Sequence, residues 1–372
     1  MDVVVVGAGT FGASLAWWLA RGGDSVVLVD QFEPGDPRAT SGGETRLIRC
    51  SHGADAEYTA MARRARALWR ELEAESGAPV LVECGVSWFA HGEDGWEAAS
   101  AAALEAQRIP CERLPVEAAA ARFPSFGGGD LAFVLHEPEA GFLRAQRAVR
   151  ALADAARRHG ARLVRGRARP DGGAAVLEDG TRLEGDAVVW ACGGWLGELF
   201  GDLVRLTVTR QELLFLDGGP AWAAPGVPAW VDYDRAMYGT ADVDGLGVKA
   251  ALDVEGPRLS PDAELPAAGA TERAVRAYLA ERFPALAGAP LRDARCCRYE
   301  LSPDSHFIAA EHPDAPGAWL LGGGSGHGFK HGPAMAERMA VALHGGDCPP
   351  ARFALGERAP GRSLRTAGSG TA

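Results

Sequence analysis

Short runs of unbroken β-branched residues alternate along this chain with amphipathic stretches. Val3 to Val6 is apolar at every position, which suits a strand covered on both faces of a parallel sheet. A glycine cluster follows, then a helical pattern from Ala13 to Arg21 that Gly22-Gly23 ends. Ser25 to Val29 is a second apolar strand, closed by Asp30. Further on, apolar residues recur at helical spacing over Thr59–Glu75, Glu97–Ala106, Val116–Ala121, Arg144–His159 and Ala274–Phe283. Ala174–Leu177, the turn Glu178-Asp179-Gly180 and Thr181–Leu183 predict a hairpin. Asp186–Ala191, Glu212–Leu216, Gly247–Leu252 and Trp319–Leu321 predict strands, and the last of these enters a glycine loop and a helix over Pro333–Leu343.

This order predicts an α/β fold. A Rossmann-like nucleotide-binding domain is built discontinuously from residues 1–80, 144–204 and 305–358. A smaller α+β domain with an antiparallel sheet, from 81–143 and 205–304, covers its mouth. The polar residues 359–372 are expected to be a disordered tail. Length agrees, since 372 residues is about two domains.

Composition narrows the function classes. With 47% hydrophobic and 23% charged residues, wholesale disorder is excluded. A net charge of −11 with no basic run disfavours nucleic acid. No apolar stretch reaches 18 residues, so no membrane span is expected. Met1-Asp2 leads directly into a strand, so no secretory leader is expected; seven scattered cysteines then fit reduced thiols in the cytoplasm. The histidines show no metal-ligand spacing, and no metal is expected.

Five motifs bear on chemistry. Gly7-x-Gly9-x-x-Gly12, between two strands and with Asp30 ending the second, is a dinucleotide fingerprint. Gly7 allows the turn, Gly9 the approach of a pyrophosphate and Gly12 close helix packing. The carboxylate of Asp30 suits a ribose and disfavours a 2′-phosphate, which leaves NAD or FAD. Gly42-Gly43-Glu44-Thr45-Arg46-Leu47-Ile48-Arg49 offers two arginines three apart, either a solvated pair or an anion site. Gly322 to Lys330 holds five glycines in nine residues, more than a turn requires; its backbone N–H groups could face a flavin ring. Cys296-Cys297 is either two half-buried thiols or the source of a thiolate that bonds a cofactor. Lys249, in a glycine-flanked apolar segment, is either on an outer strand face or desolvated.

Taken together, these residues resemble the monomeric sarcosine oxidase and N-methyltryptophan oxidase group of the D-amino-acid-oxidase-like flavoproteins. The resemblance runs from about Asp2 to about Leu343. It is carried by Gly43–Arg49, by Cys297-x-Tyr299 with Asp304-x-His306-Phe307-Ile308, and by Ser325–Lys330. It implies an FAD-dependent amine oxidase that takes the C–N bond of an N-methyl or cyclic amino acid to an imine and reduces O2 to H2O2. Cys297 matches the cysteine that bonds the flavin. Arg49 and Lys330 match the pair that holds the substrate carboxylate, Arg46 a residue beside the flavin, Lys249 the lysine that activates oxygen and Tyr238 a pocket tyrosine. Gly7, Gly9, Thr10, Phe11, Gly12, Asp30, Ser41, Thr45, Arg46, Gly326, Gly328, Phe329 and Lys330 are then the expected FAD contacts, and a monomer is expected.

The chain departs from that pattern at Gly42, where the group has a histidine, and at Asp253, where it has another. Sarcosine itself is therefore not singled out. An acid at 253 would either meet a second cationic group on the substrate or point away. The alternatives are an imino-acid or cyclic-amine oxidase or desaturase of specialised metabolism, and a dehydrogenase with another electron acceptor.

Overall fold

In a computed structural model of the chain, residues 1–361 and 363–367 are described. The opening strand β1 (Asp2–Val6), helix α1 (Thr10–Arg21) and strand β2 (Ser25–Asp30) form the expected βαβ unit. β1 and β2 are parallel neighbours at the centre of a six-stranded sheet. The order across it is Ile308–Glu311, Ala318–Gly322, Ala187–Trp190, β1, β2 and Arg162–Arg165, and all neighbours run parallel except the first two. Both faces are covered, which is why Val3 to Val6 are all buried. Each such valine contributes roughly 1.5–3 kcal/mol. α1 packs between the Ala145–Arg158 and Gly332–Leu343 helices, with Leu15, Ala16 and Trp17 fully enclosed.

A second sheet has eight strands, in the order Leu291–Leu301, Thr207–Leu216, Val248–Leu252, Met237–Thr240, Ala229–Asp232, Val86–Ala90, Phe133–Glu137 and Glu112–Leu114. One pair, Ala229–Asp232 with Val86–Ala90, is parallel; the others are antiparallel. Strand β3 (Thr45–Ile48) joins Gly141–Arg144 and Leu81–Glu83 in a small antiparallel sheet. Helix α2 (Ala56–Ser76) follows, capped by the Asp55 carboxylate, which accepts from the Tyr58 N–H at 3.1 Å. It ends at Gly77, whose φ of +69° suits a residue without a side chain.

Two expectations are corrected. The strand expected at Glu212–Leu216 begins at Thr207, because Thr209, Arg210 and Gln211 pair along the ladder with Tyr299, Arg298 and Cys297. Polar side chains hid its first half from a reading based on apolar runs. The tail expected to be disordered from residue 359 is packed where it is described. Ser363, Arg365 and Thr366 are buried, because the polar groups of Ser363 and Arg365 find partners inside the protein. Position 362 and positions 368–372 of that expected tail lie outside the described residues. Among the described residues, no helix is long and apolar enough to cross a membrane, and the seven cysteines are unpaired.

Candidate active site

The carboxyl ends of β1 and β2 open into a long cleft. At one end the fingerprint behaves as the spacing predicts. Gly7 adopts φ +106°, and a Cβ on Gly12 would lie 1.8 Å from the Gly7 carbonyl oxygen, so only glycine lets α1 sit this close to β1. The Asp30 carboxylate accepts from the N–H groups of Ala8 at 2.6 Å and Phe32 at 2.7 Å. Burial raises its pKa, and those two donors oppose the rise. Gly7, Gly9, Thr10, Phe11, Asp30, Ser41 and Arg46 line the cleft from this side, and Gly326, Gly328 and Phe329 line it from the other. Gly12 does not line it; its part is the close packing beneath.

The two glycine loops meet. The Thr10 hydroxyl donates to the Phe329 carbonyl at 3.1 Å. A Cβ on Gly328 would lie 2.6 Å from Gly324 Cα, so the second loop could not fold back on itself with larger residues. Phe329 stacks on Trp69 with ring centroids 5.9 Å apart. The fit to a dinucleotide is thus a matter of shape: bare backbone at Gly7 and Gly9, an acid at the end of β2, and a second glycine loop facing them.

Past Phe329 the cleft adjoins a charged pocket, and Arg46, Tyr299, Gly326 and Phe329 line both. Its wall also includes the polar or aromatic Thr45, Arg49, Tyr238, Lys249, Asp253, His327, Lys330 and Arg365, with Leu47, Trp88 and Val231. Arg46 and Arg49, at the start and just beyond the end of β3, both reach it. Arg46 curls over the preceding loop, donating to the Gly42 carbonyl at 2.5 Å and to Thr45 at 2.9 Å. Gly43, at φ +88°, makes room, since a Cβ there would lie 3.2 Å from Arg46 Nη1.

Arg49 is buried against Trp88 and Trp96, 5.1 and 5.8 Å from their ring centroids. It donates to the carbonyls of Ser51 and Leu364. Burial pushes its pKa down to about 10, an effect that Glu137 opposes. Lys330 donates to the His327 carbonyl at 2.8 Å. Burial, then the neighbouring Arg49, holds its pKa well below the usual lysine range. Lys249 is buried on the Val248–Leu252 strand, 3.3 Å from the Thr45 carbonyl and 5.1 Å from the Tyr238 ring. Burial and the nearby Arg46 lower its pKa to about 8. Its outer-face alternative is thereby excluded.

Cys297 lines neither cavity. It stands opposite Gln211 in the ladder and packs against the cluster of Leu213, Phe215 and Ala251. Burial raises its thiol pKa, while Arg46 and Lys249 pull the other way.

Several lining residues were not legible in the sequence. Glu300 is buried in the cleft wall, where it accepts from the Gly324 N–H at 3.0 Å and the Thr40 hydroxyl at 3.1 Å. Only its alternation with Tyr299 on one strand hints at it. His52, far away in sequence, joins His327 and His331, which stand four positions apart, and the three bring ring nitrogens within 4.8 Å of one another. That juxtaposition was invisible to spacing, and the adjacent Arg49 and Lys330 make it a hostile place for a cation.

Residues 2–342 match the family model described as FAD dependent oxidoreductase. The chain belongs to that family. Within it, the chain is 28% identical over 364 residues to monomeric sarcosine oxidase of Bacillus sp. (strain B-0618), covering 92% of each protein. It is 26% identical over 349 residues to N-methyl-L-tryptophan oxidase of Salmonella arizonae, covering 91% of this chain and 93% of that protein. Among solved structures, L-proline dehydrogenase from P. horikoshii superposes with a TM-score of 0.83 at 18% identity, over 95% of this chain and 96% of that one, which shows the shared fold. The chain is thus an FAD-dependent oxidoreductase of the D-amino-acid-oxidase fold, and the choice that the fingerprint left between NAD and FAD falls to FAD.

Proposed function

We propose that this oxidoreductase oxidises the C–N bond of a secondary amino acid, N-methyl or cyclic, to the imine, with O2 reduced to H2O2. One observation carries the reading. Arg49 and Lys330, buried and from segments far apart in sequence, line a single pocket that abuts the dinucleotide cleft, with Lys249 in its wall.

Bound FAD supplies a two-electron acceptor. The protein supplies position and charge. Arg49 and Lys330 clamp the substrate carboxylate through charge-assisted hydrogen bonds. Their positive field also disfavours the ammonium form of the amine, so the substrate gives up a proton before its C–H bond breaks. Tyr238, on the wall beside Lys249, fills the space along the substrate. Lys249 in its ammonium form stabilises the negative charge that dioxygen gains, in a site too dry for water to do so. The glycine loop 322–330, which lines the cleft through Gly324, Gly326 and Gly328, would hold the ring end of the cofactor. Cys297 would supply the sulfur of a covalent bond to FAD, its S–H and one flavin C–H bond being exchanged for the C–S bond with O2 as the oxidant; burial raises the thiol pKa, and the nearby Arg46 and Lys249, which favour the thiolate, support this role. The division into residues 1–80, 144–204 and 305–358 against 81–143 and 205–304 is part of the same proposal, supported by the strand membership of the two large sheets.

The test is an anaerobic screen of N-methyl, cyclic and primary amino acids that follows the flavin absorbance. Bleaching with secondary amino acids and recovery on admitting air, with peroxide formed, is the expected result. Bleaching that air does not reverse would point to another electron acceptor, and no bleaching with any amine would defeat the proposal.

A further inference from the structure

We infer that Arg365 is a specificity-determining residue: by pairing with Asp253 it makes this part of the pocket wall neutral, and so selects substrates with an uncharged side chain. The inference rests on the amine-oxidase reading above.

Arg365 reaches the pocket from the C-terminal segment, which is anchored on Tyr233. The Tyr233 hydroxyl donates to the Ser363 carbonyl at 2.9 Å, and the Ala367 N–H donates to the Tyr233 carbonyl at 3.0 Å. The N–H groups of Arg365 and Thr366 both donate to Ser363 Oγ. Held in this way, Arg365 is only 6% exposed. Its Nη1 donates to both the carbonyl and the Oδ1 of Asp253, each at 2.6 Å. The Tyr299 hydroxyl donates to the same Oδ1 at 3.1 Å, and the guanidinium stands 4.9 Å from the Tyr299 ring. Gly326 leaves space for this arrangement, since a Cβ there would lie 2.6 Å from Arg365 Cδ. Next to it, the Leu364 carbonyl accepts from Arg49 Nη2 at 3.1 Å, so the segment meets the carboxylate clamp directly.

Asp253 is the only acid among the described residues that line this pocket. Unpaired, its carboxylate would draw a cationic side chain into a place where water cannot screen the attraction. Paired with Arg365 and hydrogen-bonded by Tyr299, both through Oδ1, it carries a charge already compensated, so a second cation gains little from it unless a buried ion pair is broken first. The converse holds for Arg365: with Asp253 removed, its uncompensated guanidinium would attract a second carboxylate. The pair therefore excludes both classes, and each half removed alone admits one of them.

The experiment uses purified holoenzyme and measures kcat/KM, from flavin bleaching and peroxide, for N-methylleucine, N-methyllysine and N-methylglutamate. Wild type should favour N-methylleucine over either charged substrate by at least about tenfold, the scale of one charge-assisted contact. Arg365→Gln should raise the N-methyllysine to N-methylleucine ratio about tenfold. Asp253→Asn should raise the N-methylglutamate to N-methylleucine ratio by a similar factor, and the double variant should show neither shift. Ratios cancel a general loss of activity, and a purely structural role would not move them in opposite directions. Unchanged ratios, or shifts in the same direction in both variants, would overturn the inference. If the variants do not fold, wild type alone decides: a preference for N-methyllysine or N-methylglutamate overturns it, and the stated preference for N-methylleucine supports it. A failure of all three substrates to bleach the flavin is a different result. Where a cyclic or primary amino acid still bleaches it, this inference alone is overturned; where no amine does, the amine-oxidase reading falls and this inference with it.

Discussion

The dinucleotide end of the cleft and its charged end are built in opposite ways. The first is made of backbone. Its essential residues lie within the β1–α1–β2 unit, and their role is to have no side chain or to end a strand. The second is made of long cationic side chains delivered by β3, by the Val248–Leu252 strand, by the turn before the Gly332–Leu343 helix and by the C-terminal segment. A backbone site tolerates no added atoms. A side-chain site tolerates substitution of its shape but not of its charge.

The sharpest way to break this comparison is at Gly12. Gly12→Ala would force a Cβ to within 1.8 Å of the Gly7 carbonyl oxygen, so β1 and α1 must separate. We expect the loss of bound flavin together with about 3 kcal/mol of stability, read as a falling Tm and an absent visible spectrum. A stable yellow protein would show that this end is not backbone-limited.

At the charged end, Arg49→Ala or Lys330→Met should keep the flavin spectrum and lower kcat/KM for amino acids by about 10²-fold. Flavin loss in these variants would blur the distinction between the two ends. Lys249→Met should leave anaerobic reduction nearly intact and slow reoxidation by about 10²-fold, as measured by stopped flow. Slow reduction with normal reoxidation would assign Lys249 to the wrong half-reaction.

Smaller effects sharpen the picture. Cys297→Ser should release the yellow colour to the supernatant on acid precipitation, where wild type keeps it in the pellet. Finally, the pKa of Lys249 is depressed to about 8, so its ammonium share falls as pH rises through that value. The oxygen half-reaction should therefore slow above pH 8 in wild type, and this slope should be absent in Lys249→Met.

The same contrast explains what could be read in the sequence. The fingerprint, Asp30 and the second glycine loop are contiguous motifs, so their geometry follows from local conformational rules. Arg46 and Arg49 were visible as a pair because they stand three positions apart on one segment. Asp253 was visible as an oddity, but its partner was not: Arg365 lies 112 positions away, in a stretch whose polarity read as solvation. Glu300 and the approach of His52 to the His327–His331 pair were equally hidden, since nothing local distinguishes a buried polar residue with distant partners from a surface one. The strand from Thr207 was underestimated for the same reason.

The hydrogen bond from Thr10 to Phe329 spans 319 positions of the chain. At roughly 5–20 residues per second of synthesis, the opening βαβ unit emerges from the ribosome about 15–60 s before the loop it must meet. During that interval a nascent molecule owns only half a berth for its coenzyme, so maturation into the coloured form must wait until the second glycine loop has been made.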